Sequence, residues 1–228
     1  MNESYTMQPI AHVHTDFGSK FAVPRQSGLV RELRGEIVFA PGFRQSEALR
    51  GIEGFSHLWL LWVFSANVEG GWSPTVRPPR LGGNMRMGVF ATRSPFRPNS
   101  LGLSCVKLVG VDYDAPDGPV ITVSGADMMS GTPIFDIKPY IPYADCKKDA
   151  LSGFAPDAGR KLNVSIPPEL DACIPENKRA ALIGVLENDP RPRYQNDTER
   201  VYAMDFADMT VRFSGDGDTI KVVSVQKR

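Results

Sequence analysis

Prolines and glycines recur along the whole chain, and they limit how long any regular segment can be. The sequence holds 19 prolines and 21 glycines in 228 residues, and both residue types favour turns. The apolar segments between them are short, which indicates short strands rather than long helices. Over residues 1–145 these turn-bounded segments predict an all-β barrel or sandwich.

The most hydrophobic segment covers residues 55–64, with the sequence FSHLWLLWVF. Because it is short, aromatic and bounded by Gly54 and Ser65, it predicts a central strand buried on both faces. A later strand carries Asp136 and Lys138 in alternation with apolar residues, so the carboxylate and the ammonium share one face. That pair is either a structural ion pair or part of the floor of a polar pocket.

The second half of the chain has a different organisation. Residues 146–162 lack apolar periodicity and predict a linker between a domain over 1–145 and a domain over 163–228. In the latter, residues 175–187 predict a helix with one apolar stripe, and three strands follow near 200–206, 209–213 and 219–225. We therefore expect a small α+β unit of about 65 residues that packs on the barrel.

Residues 85–102 (MRMGVFATRSPFRPNSLG) form the central stretch of the chain. They begin with the alternation typical of a buried strand and continue into a loop that Pro95 and Pro98 stiffen. Arg93 and Arg97 lie four residues apart on that loop, and guanidinium groups suit a carboxylate or a phosphate. The alternative is that these arginines hold buried carbonyls or pair with acids of the core.

Positive charge is segregated along a chain that is neutral overall, with 26 basic and 26 acidic residues. No acid occurs between Glu69 and Asp112, and that interval contains six basic residues, namely Arg77, Arg80, Arg86, Arg93, Arg97 and Lys107. A second basic segment around Arg25 is either a ligand loop or a solvated turn. Trp72 either stacks on a base or anchors its loop to the core. One basic face that attracts nucleic acid or another polyanion is predicted.

Several common chemistries lack their sequence motifs. There is no glycine-rich dinucleotide fingerprint, P-loop, nucleophile elbow or CxxC pair, and the three histidines lack metal-ligand spacing. The three cysteines indicate a reducing compartment rather than a disulfide framework. With no signal pattern and no apolar run of membrane length, we expect a soluble cytoplasmic protein that binds no metal and no membrane.

Six exact runs of residues then identify a family resemblance. In chain order they are FAVPR (21–25), FSHLW (55–59), EGGW with PTVRPPRLGG (69–83), MGVFATRSPFRPN (87–99), DIKPY (136–140) and DPRP (189–192). The chain closely resembles the bacterial TrmO family, also called YaeB or TsaA, and the resemblance is weakest between residues 146 and 174. Members of this class VIII family are S-adenosylmethionine-dependent tRNA methyltransferases.

The resemblance implies fold and function together. It implies a β-barrel that binds S-adenosylmethionine without a Rossmann sheet, a small C-terminal domain, and a homodimer. The implied reaction is methyl transfer to N6 of threonylcarbamoyladenosine, next to the anticodon of certain threonine tRNAs. Two alternatives remain open, namely a non-catalytic RNA-binding barrel and a methyltransferase that acts on a small molecule.

The resemblance also implies site residues. The cofactor loops fall at Pro24, Arg25, Gln26, Ser65, Ala66, Arg93, Leu103, Asp127, Met128, Met129 and Ser130. Relatives can carry His-Gln in place of Ser65-Ala66, so contact at these two positions should come from the backbone. Arg25 or Arg93 would hold the cofactor carboxylate, and Asp127 would bind ribose hydroxyls or face the sulfonium.

Catalytic and tRNA-binding candidates follow from the chemistry. The accepting nitrogen is a poor nucleophile, so a base should assist the loss of its proton, and Asp136 and Asp189 are the candidates. Tyr140 or Tyr194 would orient the substrate. The candidates for contact with tRNA are Arg77, Arg80, Arg97, Lys138, Arg191 and Arg193, of which Arg191 and Arg193 would meet the tRNA backbone or the threonyl carboxylate.

Overall fold

The computed structural model describes residues 3–192 and 197–228. Six antiparallel strands close into a barrel in the order β1-β2-β7-β6-β3-β8. Their bounds are β1 Ala11–Thr15, β2 Arg34–Phe39, β3 His57–Val63, β6 Leu101–Asp112, β7 Val120–Ser124 and β8 Thr132–Pro139. The predicted barrel is therefore confirmed, and the pairing of β1 with β8 closes it.

Side-chain alternation on β3 shows which face of the barrel wall is covered. Leu58, Leu60 and Trp62 point inward and are at most 5% exposed, whereas the residues between them are only half-buried. The prediction that this strand is buried on both faces is therefore wrong for its outer face, which is only half-buried. The outer face of an antiparallel barrel strand stays open to solvent unless another element covers it.

Residues 85–92 form less strand than predicted. The pair β4 Thr75–Val76 and β5 Met87–Gly88 makes a two-stranded ribbon, and a 3₁₀ turn at Val89–Ala91 follows it directly. Further 3₁₀ turns cover Pro41–Phe43, Ser46–Leu49, Ile52–Gly54, Ser65–Gly70 and Pro79–Leu81. The long loop before β5 thus carries short ordered pieces rather than a regular strand.

The C-terminal unit is a four-stranded sheet with a helix packed on it. Its elements are β9 Asn163–Ser165, α2 Pro168–Asp171, α3 Glu176–Glu187, β10 Tyr202–Phe206, β11 Met209–Asp216 and β12 Thr219–Lys227, and the short helix α1 Pro142–Asp145 precedes them. The predicted stripe on α3 is confirmed, because Ala181, Leu182, Val185 and Leu186 are all buried. The parallel edge strand β9 is an addition that its sequence does not signal.

Two apolar clusters hold the molecule together. One fills the barrel around Leu58, Leu60 and Ile121. The other lies between α3 and the C-terminal sheet, and it also contains Phe17 and Leu33 from the connection between β1 and β2. In the part of the chain that the structure describes, no helix is long and apolar enough to cross a membrane.

Candidate active site

A cleft of about 1740 Å³ lies between the barrel loops and the segment that follows α3. It exceeds the range of about 300–1,000 Å³ that is usual for small-ligand pockets. Among the residues that the structure describes, eight basic ones line the cleft, namely Lys20, Arg25, Arg77, Arg80, Arg86, Arg93, Arg97 and Arg191. In the same described part of the chain, three acids line it, namely Asp127, Asp157 and Asp189. The basic sequence segments therefore converge on one concave surface.

Asp127 is held in this cleft by a chain of hydrogen bonds from the barrel wall. Trp62 Nε1 donates to Ser104 Oγ at 3.0 Å, and Ser104 Oγ donates to Asp127 Oδ1 at 2.6 Å. Burial raises the pKa of Asp127 to about 6. Hydrogen bonds and the charge of Arg93 act in the opposite direction, but their effect is smaller than that of burial. The carboxyl group therefore titrates just below neutral pH.

The orientation of Trp62 depends on the residue that faces it across the sheet. The register pairs Trp62 on β3 with Gly102 on β6. A Cβ atom at Gly102 would lie 2.3 Å from the indole ring, so only glycine leaves room for it. The sequence analysis did not predict this arrangement. The one indication in the sequence is the polar residue Ser104, which occupies an inward position of an otherwise apolar strand.

Arg93 meets the loop that carries Gln26. Its Nη1 atom donates to Gln26 Oε1, and its positive charge acts on Asp127. The backbone of Ser27 also hydrogen-bonds the Asp127 carboxylate. A guanidinium and a carboxylate thus line the same cleft within electrostatic reach of each other, which fits a ligand that carries both an anionic and a cationic group, as S-adenosylmethionine does.

Arg97 is used differently from Arg93. Its Nη1 atom donates to the carbonyl of Thr92 at 2.9 Å and to that of Ser94 at 3.3 Å. For Arg97, holding loop carbonyls is therefore the role that the structure shows, although the residue also lines the cleft. Trp72 is 56% exposed, so it does not anchor its loop to the core.

Most of the predicted cofactor residues come together in the cleft. Those that line it are Pro24, Arg25, Gln26, Ser65, Ala66, Arg93, Leu103, Asp127, Met128 and Met129. Ser130 is not among the lining residues, and its amide donates to the carbonyl of Phe17 at 2.8 Å. The grouping brings together five separate segments of the chain.

Asp189 and Arg191 line the same cleft and bind each other. Arg191 Nε and Nη2 donate to the two carboxylate oxygens of Asp189 at 2.7 and 3.1 Å. This pairing raises the pKa of Arg191. Arg25 Nη2 donates to the carbonyl of Arg191 at 3.4 Å, which ties this segment to the predicted cofactor loop. The candidates Arg193 and Tyr194 lie outside the described residues.

Asp136, Lys138 and Tyr140 are not among the residues that line the cleft. Asp136 and Lys138 form an ion pair of 2.8 Å on the exposed face of β8. The Tyr140 ring lies 5.8 Å from that of Trp59. Within one chain these three side chains are grouped on the outer barrel wall, and their predicted roles stay predictions.

Comparison with known proteins gives consistent matches over the whole chain. The family model of the tRNA-methyltransferase O N-terminal domain matches residues 12–146, and that of the TrmO C-terminal domain matches residues 160–228. A tRNA (adenine(37)-N6)-methyltransferase of Escherichia coli (strain K12) is 41% identical over 234 residues, which cover 99% of each chain. A putative S-adenosylmethionine-dependent methyltransferase, RcsF, of Pseudomonas aeruginosa is 36% identical over 230 residues, or 92% of each chain.

A solved structure agrees with these matches. The crystal structure of TrmO from Pseudomonas aeruginosa superimposes with a TM-score of 0.80 and 32% sequence identity. The superposition covers 98% of this chain and 99% of that one. The similarity therefore extends over the barrel, the cleft and the C-terminal unit together.

Proposed function

The chain belongs to the TrmO family of S-adenosylmethionine-dependent tRNA methyltransferases, and we propose that it methylates N6 of threonylcarbamoyladenosine beside the anticodon of threonine tRNAs. The observation that carries the proposal is the pairing of Arg93 with Gln26, next to Asp127, inside a cleft with eight basic lining residues. S-adenosylmethionine supplies an electrophilic methyl group on a sulfonium. The basic lining suits an RNA acceptor.

We assign the cofactor contacts as follows. Arg93 or Arg25 would bind the carboxylate of the cofactor, and Asp127 would accept hydrogen bonds from ribose hydroxyls or offset the positive sulfonium. The backbones of Ser65 and Ala66, together with Leu103, complete the contact surface. Holding donor and acceptor in line and excluding water supply most of the catalysis in such a displacement.

Asp189 is a candidate proton acceptor that is held by Arg191 in the free protein. We expect the substrate to separate this pair when it binds. Both oxygens of Asp189 accept hydrogen bonds from Arg191, so neither oxygen is directed at a substrate while the pair is closed. A guanidinium binds carboxylates in a forked geometry. The threonyl carboxylate would therefore compete for Arg191, leaving Asp189 free to accept the N6 proton. Asp136 remains the alternative base, and Tyr140 or Tyr194 orients the substrate.

The remaining candidates form the surface for the tRNA backbone. Arg77, Arg80 and Arg97 line the cleft, and with Arg191 and Arg193 they are our candidates for contact with phosphates. Lys138 lies on the outer wall of the barrel, where its side chain is 71% exposed and its Nζ atom lies 2.8 Å from Asp136 Oδ2. Because tRNA is its substrate, we propose the cytoplasm as the compartment of the enzyme.

We further propose a homodimer. The outer faces of β3 and β8 present half-buried Trp59, whose ring lies 5.8 Å from that of Tyr140, and the exposed ion pair of Asp136 with Lys138. A second copy on this face would shield the apolar side chains and could bring the Asp136–Tyr140 face towards a neighbouring cleft. Light scattering that gives the mass of one chain at assay concentration would contradict this.

Methyl transfer from labelled S-adenosylmethionine to threonine tRNA tests the reaction. One tRNA sample carries the threonylcarbamoyl group and the matched sample lacks it. Label on the modified tRNA alone is the expected result. Label on neither, with the cofactor still bound, would favour a small-molecule acceptor or a non-catalytic RNA-binding barrel.

Arg93→Ala tests the cofactor assignment. Losing the guanidinium removes the partner of the cofactor carboxylate, so calorimetry should detect no cofactor binding under conditions where the parent protein binds. Arg50→Ala is the matched control, because Arg50 is exposed and does not line the cleft. Unchanged affinity in Arg93→Ala would remove Arg93 from the site.

A further inference from the structure

The connection between β1 and β2, residues 16–33, belongs to both units of the molecule. It carries Pro24, Arg25 and Gln26, which line the cleft. Its apolar side chains Phe17, Ala22, Val30 and Leu33 lie in the apolar cluster of the C-terminal unit, each at most 8% exposed. The Phe17 ring lies 5.6 Å from the Phe206 ring on β10. We call residues 16–33 the cofactor segment.

The opposite side of the cofactor segment is fixed to the barrel turn that holds Asp127. The Gly28 amide donates to the carbonyl of Gly125 at 2.9 Å, and the Gly125 amide donates to that of Leu33 at 2.9 Å. A Cβ atom at Gly125 would lie 3.0 Å from the backbone of Gly28, so these two loops are in direct contact. A displacement of the cofactor segment would therefore reach Asp127 as well as Arg25 and Gln26.

Two contacts from α3 fix the position of this segment. Lys178 Nζ lies 2.6 Å from Asp16 Oδ1, with the two side chains 29% and 11% exposed. Gly184 faces Val30 so closely that a Cβ atom on it would lie 2.7 Å from Val30 Cγ1. The ion pair is thus largely shielded from water, and the glycine leaves no room between the helix and the segment.

We propose that Lys178 and Gly184 are positioning residues of the cofactor site, through which the C-terminal unit sets the affinity for S-adenosylmethionine. Neither residue lines the cleft, so both act through the cofactor segment. The inference rests on the cofactor contacts assigned above. It gives the C-terminal unit a role in cofactor binding in addition to its proposed contact with tRNA.

The experiment compares Lys178→Met and Gly184→Ala in the full chain. We expect the calorimetric dissociation constant for S-adenosylmethionine to rise by about tenfold in each, since displacements far from a site can cost that much or more. The dissociation constant for tRNA, measured without cofactor, should change by less than about twofold. The tenfold loss of cofactor affinity corresponds to about 1.4 kcal/mol. Lys178→Arg should restore cofactor affinity, because it keeps the ion pair.

Lys161→Met is the matched control, because Lys161 pairs with Glu187 at 2.7 Å in the same unit without contacting the cofactor segment. A purely structural role would lower the melting temperature of Lys178→Met and leave the affinity unchanged, which would overturn the proposal. Gly184→Ala tests the same contact without removing a charge, because its methyl group pushes Val30, and its melting temperature is measured beside its affinity. Loss of affinity in Arg93→Ala but not in either α3 variant would reject this inference and keep the assigned site.

Discussion

At the scale of single residues, Asp127 is the side chain whose environment most constrains its chemistry. Ser104 fixes one of its oxygens, Arg93 acts on it electrostatically, and burial shifts its pKa upward to about 6. The shift disfavours the charged form, so below about pH 6 the free protein holds a mostly neutral carboxyl group, and a positive ligand favours its ionisation. A cationic cofactor and an acid with this pKa are therefore matched.

Asp127 predicts the pH dependence of cofactor binding. Since the raised pKa of about 6 leaves the group largely neutral at lower pH, affinity for S-adenosylmethionine should rise about tenfold between about pH 5 and about pH 7.5. Asp127→Asn should bind more weakly at the higher pH and show a flat profile. Calorimetry across this range checks both, and a flat profile in the parent protein would contradict the role of Asp127.

Arg77 predicts a change in salt dependence. It is exposed, lines the cleft and carries one of the charges assigned to the tRNA backbone. Arg77→Ala should weaken tRNA binding and reduce the slope of log affinity against log salt concentration by about 0.7 to 0.9. Cofactor affinity should not change. An unaltered slope, the same as in the exposed control Arg50→Ala, would exclude Arg77 from the RNA surface.

At the scale of elements, β3 and β6 connect the core of the barrel to the site. Their register places Trp62 opposite Gly102, and the indole then donates to Ser104 beside Asp127. A contact that looks like ordinary core packing therefore also orients the carboxylate in the cleft.

Gly102→Ala tests this link. The added methyl group would clash with the Trp62 ring, and overpacking of this kind costs about 1–3 kcal/mol of unfolding free energy. Displacing Trp62 also removes its bond to Ser104, so cofactor affinity should fall. Gly110→Ala on the same strand is the control, because a Cβ atom added there would meet no other atom within 4 Å. Equal melting temperatures for the two variants would show that the indole has room to move.

The elements also show what the sequence could and could not predict. Sequence pattern predicted β10, β11 and β12 of the C-terminal sheet but not β9, because period-two burial is a local property of a strand. It failed at residues 85–92, where an alternating pattern forms only the short strand Met87–Gly88 and then a 3₁₀ turn. The contact of Ser104 with Asp127 could not be predicted, since it depends on the register of the β6–β7 pair, which shifts between Leu108 and Gly110.

At the scale of the whole molecule, the two domains that the sequence defines do not coincide with the two apolar cores that the structure forms. The family models divide the chain between residues 146 and 160, yet Phe17 and Leu33, from the N-terminal part, are buried in the core of the C-terminal unit. One unit cannot lose its packing without exposing part of the other. The cleft lies where they meet, so its geometry depends on both cores.

This shared segment predicts that the molecule unfolds in one step. Calorimetry should show a single transition with equal calorimetric and van't Hoff enthalpies. Leu60→Ala in the barrel core and Leu182→Ala in the C-terminal core should each lower that one transition, because both leucines are fully buried. A buried leucine-to-alanine change lowers the free energy of unfolding by about 2–5 kcal/mol. In a chain of this size, each kcal/mol lowers the melting temperature by roughly 2–4 °C. Two resolved transitions, each sensitive to only one variant, would show that the units are stable independently and that the cofactor segment does not couple them.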